Sequence, residues 1–157
     1  MKNRRFPIFV ESEGKKVTVF GGGKIAARRI RTLCMFDFDI EVISPEILDE
    51  IKTLAEENKI RYICDVYREE YIDSQFMVLP CTDNREVNRE IGIIAKEKGA
   101  LVSVCDRKDE CNFFFPAIAV NEDVTVGIAG SGNTHDITKK TAARVRRVIE
   151  ERITDEG

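Results

Sequence analysis

The stretch Val17-Thr18-Val19-Phe20-Gly21-Gly22-Gly23-Lys24-Ile25-Ala26-Ala27-Arg28-Arg29-Ile30 decides the fold. A β-branched run meets three glycines, and helix-favouring residues follow at once. The glycines fit G-x-G-x-x-(G/A), read as Gly21, Gly23 and Ala26. Gly21 can take the tight turn out of the strand. Gly23 has no Cβ, so an anion can come up to the backbone. Ala26 is small enough to let the helix pack close on the strand. The free N–H groups and the positive end of the helix then face that anion. Strand, glycine turn and helix in this order form the phosphate-binding turn of a dinucleotide fold; the bland alternative is a plain Gly-rich βα turn.

Outward from this unit, strands and helices alternate. Phe6 to Val10 is apolar and Glu11 to Gly14 a turn. The helix after the glycines carries Ala26, Ile30, Leu33 and Cys34 on one face, which leaves Arg28, Arg29 and Arg31 to solvent. Ile40 to Ile43 reads as the second strand, ending at Ser44-Pro45. A helix over Glu46 to Asn58 follows, with Ile47, Ile51, Leu54 and Ala55 inward. Ile60 to Cys64 is a third strand, Glu69 to Ser74 a short helix or turn, and Phe76 to Leu79 a fourth strand. A helix with Val87, Ile91, Ile94 and Ala95 inward then stops at Gly99. Leu101 to Cys105 is the fifth strand and ends at Asp106. The alternation predicts an α/β, Rossmann-like, doubly wound parallel sheet over residues 1–112, with its ligand across the carboxyl ends of the strands.

The rhythm changes after Asp106. Phe113 to Val120 is apolar and extended, Asn121 to Asp123 a turn and Val124 to Ala129 a returning strand. Gly130-Ser131-Gly132-Asn133-Thr134 is a flexible loop, and the last helix runs from about Asp136 to Ile153. This β-hairpin plus helix, residues 113–157, is too small to hold a good core alone. Phe113, Phe114 and Phe115 alternate sides, so both faces of their strand want cover, and a second copy of the chain is the natural source.

The chain has 157 residues, 43% of them hydrophobic and 34% charged, with a net charge of −3. That suits one full domain with a small appendage and gives no sign of nucleic-acid binding. No apolar run approaches the roughly 20 residues that span a bilayer. The basic start Met1 to Arg5 has no apolar signal core behind it, so a cytoplasmic protein is expected. Cys34, Cys64, Cys81, Cys105 and Cys111 contain no CxxC pair and read as reduced thiols, mostly buried as small apolar residues. Cys105 and Cys111 flank an acidic loop and leave a metal or redox pair conceivable.

The carboxyl ends of the strands gather the polar residues. A nicotinamide cofactor needs its adenosine ribose held, usually by an acid at the end of the second strand. Ser44 stands there, with Glu41 inside the strand. No Arg follows at once to take a 2′-phosphate, which favours NAD over NADP. Asp106 is the best candidate for chemistry, as a proton acceptor or a metal ligand; the plain reading is a loop acid paired with Arg107 and Lys108. His135, the sole histidine, reads as a helix-start residue. Lys139, Lys140, Arg144, Arg146 and Arg147 form a basic run that is either a solvated face or a dock for a many-carboxylate ligand.

Six stretches in order resemble one family: Phe6-Pro7-Ile8-Phe9, Val19 to Arg29, Val42-Ile43-Ser44-Pro45, Cys81 to Asn88, Val102-Ser103-Val104-Cys105-Asp106, and Phe113-Phe114-Phe115-Pro116-Ala117. The chain is similar to the precorrin-2 dehydrogenases, the dehydrogenase/ferrochelatase part of siroheme synthases. The resemblance implies NAD-dependent oxidation of precorrin-2, a tetrapyrrole, to sirohydrochlorin, followed in some relatives by Fe²⁺ insertion. It implies that Asp106 is the essential aspartate. It implies nucleotide contacts at Gly21, Gly22, Gly23, Lys24 and Ile25, at Ser44, Pro45, Glu46 and Ile47, and at Thr82 and Asp83. It also implies a homodimer built on the region after Asp106. The family commonly has a further helical domain, and its Ser-rich lip corresponds to Ala129 to His135 here. An NAD(H)- or tetrapyrrole-binding module without turnover, or a chelatase alone, are the competing readings.

Overall fold

The computed structural model describes residues 5–130 and 135–154; all but Gly130 of the loop expected over Gly130 to Thr134, and all but Arg5 of the basic start Met1 to Arg5, lie outside them. The chain forms two compact units, Glu11–Phe114 and Met1–Val10 with Phe115–Gly157.

The larger unit is a five-stranded sheet of order β3-β2-β1-β4-β5, with every pair parallel. The strands are β1 (Lys16–Phe20), β2 (Asp39–Ile43), β3 (Arg61–Ile63), β4 (Met77–Pro80) and β5 (Leu101–Val102). Val17 to Phe20 are all buried, as a central parallel strand covered on both faces requires. Phe20, Ile43, Val78 and Val102 point to one face and meet Ile91 and Ala95 of the helix α3 (Arg85–Glu97). The helix α1 (Lys24–Leu33) buries Ala26, Ala27, Ile30 and Leu33, close to the expected face; Cys34 is its C-cap and only half-buried.

The second helix, α2 (Asp49–Glu56), begins three residues after the expected Glu46. The reason is local. Ser44 to Leu48 folds back over the glycine turn, and Leu48 N–H donates to Gly22 O at 3.0 Å. Ile47 therefore lies outside the helix, and only Ile51 of the expected face is fully buried. Asn58, at φ 57°, closes the segment in the left-handed region. The α3 helix starts where expected, with Asn84 Oδ1 accepting from Glu86 N–H and Val87 N–H at 3.0 and 3.2 Å. Gly99, at φ 84°, ends it.

The fifth strand is an edge. Its regular part is short, but Ser103 N–H and Cys105 N–H still donate to Val78 O and Pro80 O, so the ladder runs on to Cys105. The outer side is covered by Asn112, whose Oδ1 accepts from Val102 N–H at 2.6 Å and whose Nδ2 donates to Ala100 O at 3.0 Å. Phe113 to Phe115 are half-buried and precede the hairpin, so the expectation that they form part of its strand is corrected. They do not alternate along a strand because Asn112 N–H and Phe113 N–H are both drawn to Val102 O.

In the smaller unit, β6 (Ala117–Val120) and β7 (Thr125–Ile128) pair antiparallel. Asn121 Oδ1 accepts from Asp123 N–H and Val124 N–H and closes the turn. The helix α4 (His135–Thr154) supplies buried Ala142, and Arg146 Nε donates to Ile118 O at 2.9 Å.

Candidate dinucleotide site and its neighbouring carboxylate

The glycine turn is shaped by what surrounds it. Gly21, at φ 113°, is in a conformation side chains rarely adopt, and a Cβ there would stand 2.3 Å from Cys81 O. A Cβ on Gly22 would stand 2.2 Å from Glu46 O and 2.7 Å from Ile47 Cγ2. Gly21 thus lets β1 run against the end of β4, and Gly22 lets it run against the loop after β2. Gly23 differs: it is exposed, and nothing lies within 4 Å of where its Cβ would be. It is also the N-cap of α1, and no side chain caps that helix. The first N–H groups of α1, starting at Lys24 and Ile25, thus open on an unfilled space at the positive end of a ten-residue helix. A helix start of this kind can take a pyrophosphate, and the residues present fit a dinucleotide.

The segment after β2 forms the next wall. Ser44 is buried and its hydroxyl donates to Glu46 O at 2.6 Å, while its own carbonyl accepts from Tyr62 Oη–H at 3.0 Å. The hydroxyl is thereby engaged inside the loop. Pro45 and Glu46 are exposed, and with Ile47 they border an open groove of about 740 Å³ that Tyr62, Lys52 and Ala55 also line. Glu46, two residues beyond Ser44, is the exposed acid that follows the end of the second strand. Glu41 is excluded: it is buried and bridges Lys16 Nζ at 3.5 Å and Arg61 Nη1 at 3.0 Å.

The third wall is the end of β4. Thr82 N–H donates to Asn88 Oδ1 at 3.0 Å, and Asn88 Nδ2 donates back to Thr82 O at 3.0 Å. Thr82 Oγ1 also lies 2.7 Å from Asn88 Oδ1. Asn88 is almost fully buried, so one side chain of α3 fixes the loop that presents exposed Asp83. Asn88 escapes a sequence reading because its position lies on the inward face of a helix, where an apolar residue is expected.

Asp106 follows the end of the β5 ladder and is exposed. Its carboxylate is paired with Arg85 Nε at 4.0 Å, and Arg85 Nη2 is bound to Glu110. The partner is therefore Arg85, at the start of α3, rather than the adjacent Arg107 and Lys108. Arg85 thus meets the carboxylate from the start of α3, on the side where the strands end.

Beneath Asp106 lies a second cluster. Arg29, expected on a solvated face, turns inward instead: its Nη1 donates to Ser103 O at 2.7 Å and to Cys81 Sγ at 3.6 Å. The Cys81 thiol is hydrogen-bonded to Cys105. That bond, aided by the Arg29 guanidinium, lowers the Cys105 thiol to about 7 against the opposing effects of burial and Asp106. The Cys81 thiol is pushed up by the same bond and by burial. Cys105 does not pair with Cys111, the pair that the acidic loop leaves conceivable: Cys111 Sγ accepts from Val104 N–H and bonds to Arg107 O. Of the five cysteines only Cys81 is buried, and Cys64 is exposed, against the expectation that most are buried. Among the described residues no group of three His, Cys, Asp or Glu could hold a metal ion.

In the smaller unit Lys140, Arg144 and Arg147 line one shallow groove on α4, whereas Arg146 is tied to the hairpin. The side chain of His135 lies outside the described residues. Among the described residues no helix is long and apolar enough to cross a membrane.

Comparison with known proteins agrees with this fold. The family model NAD_binding_7, described as NAD(P)-binding, matches residues 8–117. A multifunctional siroheme biosynthesis protein, HemA, of Ruminiclostridium josui is 37% identical over 92% of this chain and 28% of its own length. A siroheme synthase of Neisseria meningitidis serogroup C is 29% identical over 92% of this chain and 30% of its own. The chain thus spans under a third of these curated relatives. The solved structure of SirC, a precorrin-2 dehydrogenase, has a similar fold, with a TM-score of 0.79 and 23% identity over 90% of this chain and 69% of that one.

Proposed function

Because the chain belongs to the NAD(P)-binding family NAD_binding_7, we propose that it seats NAD on the Gly21–Ile25 turn and dehydrogenates precorrin-2 to sirohydrochlorin. The observation that carries the reading is the contrast among the glycines: two are filled to contact by protein, and the third opens on empty space at an uncapped helix start. Lys24 and Ile25 offer N–H groups to the pyrophosphate, and Glu46 takes the ribose hydroxyls, which favours NAD over its 2′-phosphorylated form. Thr82 and Asp83, held by Asn88, line the path toward Asp106.

NAD⁺, when bound, supplies a hydride acceptor. Losing hydrogen from a reduced tetrapyrrole also releases a proton, and a carboxylate at the cleft mouth can accept it. Asp106 takes this role. Arg85 pairs with it at 4.0 Å while leaving it exposed to a substrate. The substrate is supported by the names of the relatives, in which this region is one part of a longer chain.

The test is NAD⁺-dependent conversion of precorrin-2, followed by the sirohydrochlorin absorption spectrum. Asp106→Asn is expected to abolish turnover and leave NAD⁺ affinity unchanged. Full activity in that variant would remove Asp106 from the mechanism.

A homodimer formed through the smaller unit belongs to the same reading. Phe6, Ile8 and Phe9 are 88%, 76% and 69% exposed, and Val124 on the hairpin is 47% exposed. Apolar side chains of this size left in water favour a partner, and a second copy has the same need. Sedimentation should give a dimer that Phe9→Asp converts to monomer. A cytoplasmic site of action belongs to the same reading, since reduced cysteines such as these are ordinary there.

A further inference from the structure

Cys81 and Cys105 are cross-strand partners. The β4–β5 register sets Met77 opposite Leu101 and Val78 opposite Val102. The same offset continued along the ladder sets Cys81 opposite Cys105, and Cys105 N–H still donates to Pro80 O there. Adjacent strands stand about 4.8 Å apart, inside the window of roughly 4.4–6.8 Å between Cα atoms that a disulfide needs. The exposures of the two thiols differ in a useful way: Cys105 is half-exposed, and Cys81 is buried behind it at 7% exposure.

We propose that Cys81 and Cys105 form a thiol–disulfide exchange site that takes low-molecular-weight disulfides, with Cys105 the attacking and Cys81 the resolving sulfur. The Cys105 thiolate attacks one sulfur of a small disulfide RSSR, forming a mixed disulfide and releasing RS⁻. Cys81, its proton passing to the released thiolate, then attacks Cys105 Sγ and expels the second RS⁻. The protein loses two electrons and two protons, and one RSSR becomes two RSH. Arg29 Nη1, 3.6 Å from Cys81 Sγ, offsets the charge that develops on the resolving sulfur. The fall of the Cys105 thiol to about 7 makes the first step effective at neutral pH. Asn88 Nδ2, 3.8 Å from Cys105 Sγ, holds that sulfur from the other side. The crosslink lies one residue before Asp106, so exchange would stiffen the strand end that carries it.

The experiment uses the whole chain, reduced, freed of reductant and incubated with glutathione disulfide at neutral pH. Acid quenching is followed by intact mass and peptide mapping. The expected product is a Cys81–Cys105 linked peptide without glutathione on either residue, reversed by dithiothreitol. Exposed Cys64 is the internal control and takes up glutathione in every protein tested. Cys81→Ser is expected to trap glutathione on Cys105. Cys105→Ser is expected to leave Cys81 unmodified. Cys64 fully modified while Cys81 and Cys105 stay reduced overturns the proposal, as does a wild-type product that stops at glutathione on Cys105. Should either variant not fold, the wild-type map alone decides. The readout counts sulfur bonds and not turnover, so failure of precorrin-2 oxidation would leave it standing.

Discussion

Replacing each glycine of the turn by alanine separates folding from coenzyme binding. In Gly22→Ala the new methyl would stand 2.2 Å from Glu46 O and 2.8 Å from Ile47 Cα, both backbone atoms. Neither can rotate away, so the loop after β2 must move, at a cost of about 3 kcal/mol. For a chain of this size that lowers the melting temperature by roughly 6–12 °C. Gly21→Ala adds a positive-φ penalty of about 1–2 kcal/mol to a similar overlap with Cys81 O. Gly23→Ala meets nothing within 4 Å, and its φ of −85° and ψ of −171° suit alanine. The weaker N-cap and the stiffer unfolded chain oppose each other, leaving a net change within about 1 kcal/mol. The same methyl, however, projects where the pyrophosphate must touch the helix start. An overlap of about 1.5–3 kcal/mol there weakens binding roughly 10- to 100-fold. Thermal melts and calorimetric titration with NAD⁺ measure both quantities on the same sample. A Gly23→Ala protein that melts like the wild type and binds NAD⁺ with unchanged Kd would refute the seating of the coenzyme on this turn.

Four further outcomes follow from the same geometry. Asn88→Ala leaves Thr82 N–H and O without their buried partner and should cost about 1–3 kcal/mol in chemical denaturation, with a raised Kd for NAD⁺. Glu41→Gln removes a charge that serves only Lys16 and Arg61, so NAD⁺ affinity should be unchanged while stability falls modestly; a weakened affinity would reinstate Glu41 as a ribose ligand. Cys105 alkylation should be half-maximal near pH 7 and fall as pH drops below it, because only the thiolate reacts. Cys34, raised mainly by burial, should need a more alkaline solution than an ordinary thiol; site-resolved iodoacetamide labelling against pH checks both.

The parts of the fold that could be read from the chain are those written in short-range terms. The run Val17 to Phe20, the glycines and the face Ala26, Ile30 and Leu33 each signal their role within a few residues, and the observed strand order agrees. What escaped depends on contacts made far along the chain. The second helix starts late because Leu48 N–H finds Gly22 O, a bond across 26 residues that periodicity cannot report. That Ser44 turns its hydroxyl into the loop and leaves Glu46 as the exposed acid beside it could not be read from the chain. Arg85 could not be matched to Asp106 by proximity in sequence, since Arg107 and Lys108 are nearer.

Arg29 shows the limit most sharply. By helical position it belongs with Arg28 and Arg31, and Arg31 does reach across the surface to Glu50. Arg29 sits one step closer to the sheet, where the strand ends leave Ser103 O without a ladder partner, and its long side chain can cover the gap and still meet a sulfur. A buried carbonyl left unpaired costs about 1–3 kcal/mol, which exceeds the typical worth of a solvated arginine on a helix surface. The inward turn is therefore the favoured state, and it places a cation beside Cys81. Arg29→Gln keeps a donor for Ser103 O but removes the charge. If the charge tunes the thiol pair, this substitution should raise the pH at which Cys105 is half-alkylated with little loss of stability. If the arginine is only a brace for the carbonyl, the labelling profile should stay where it is.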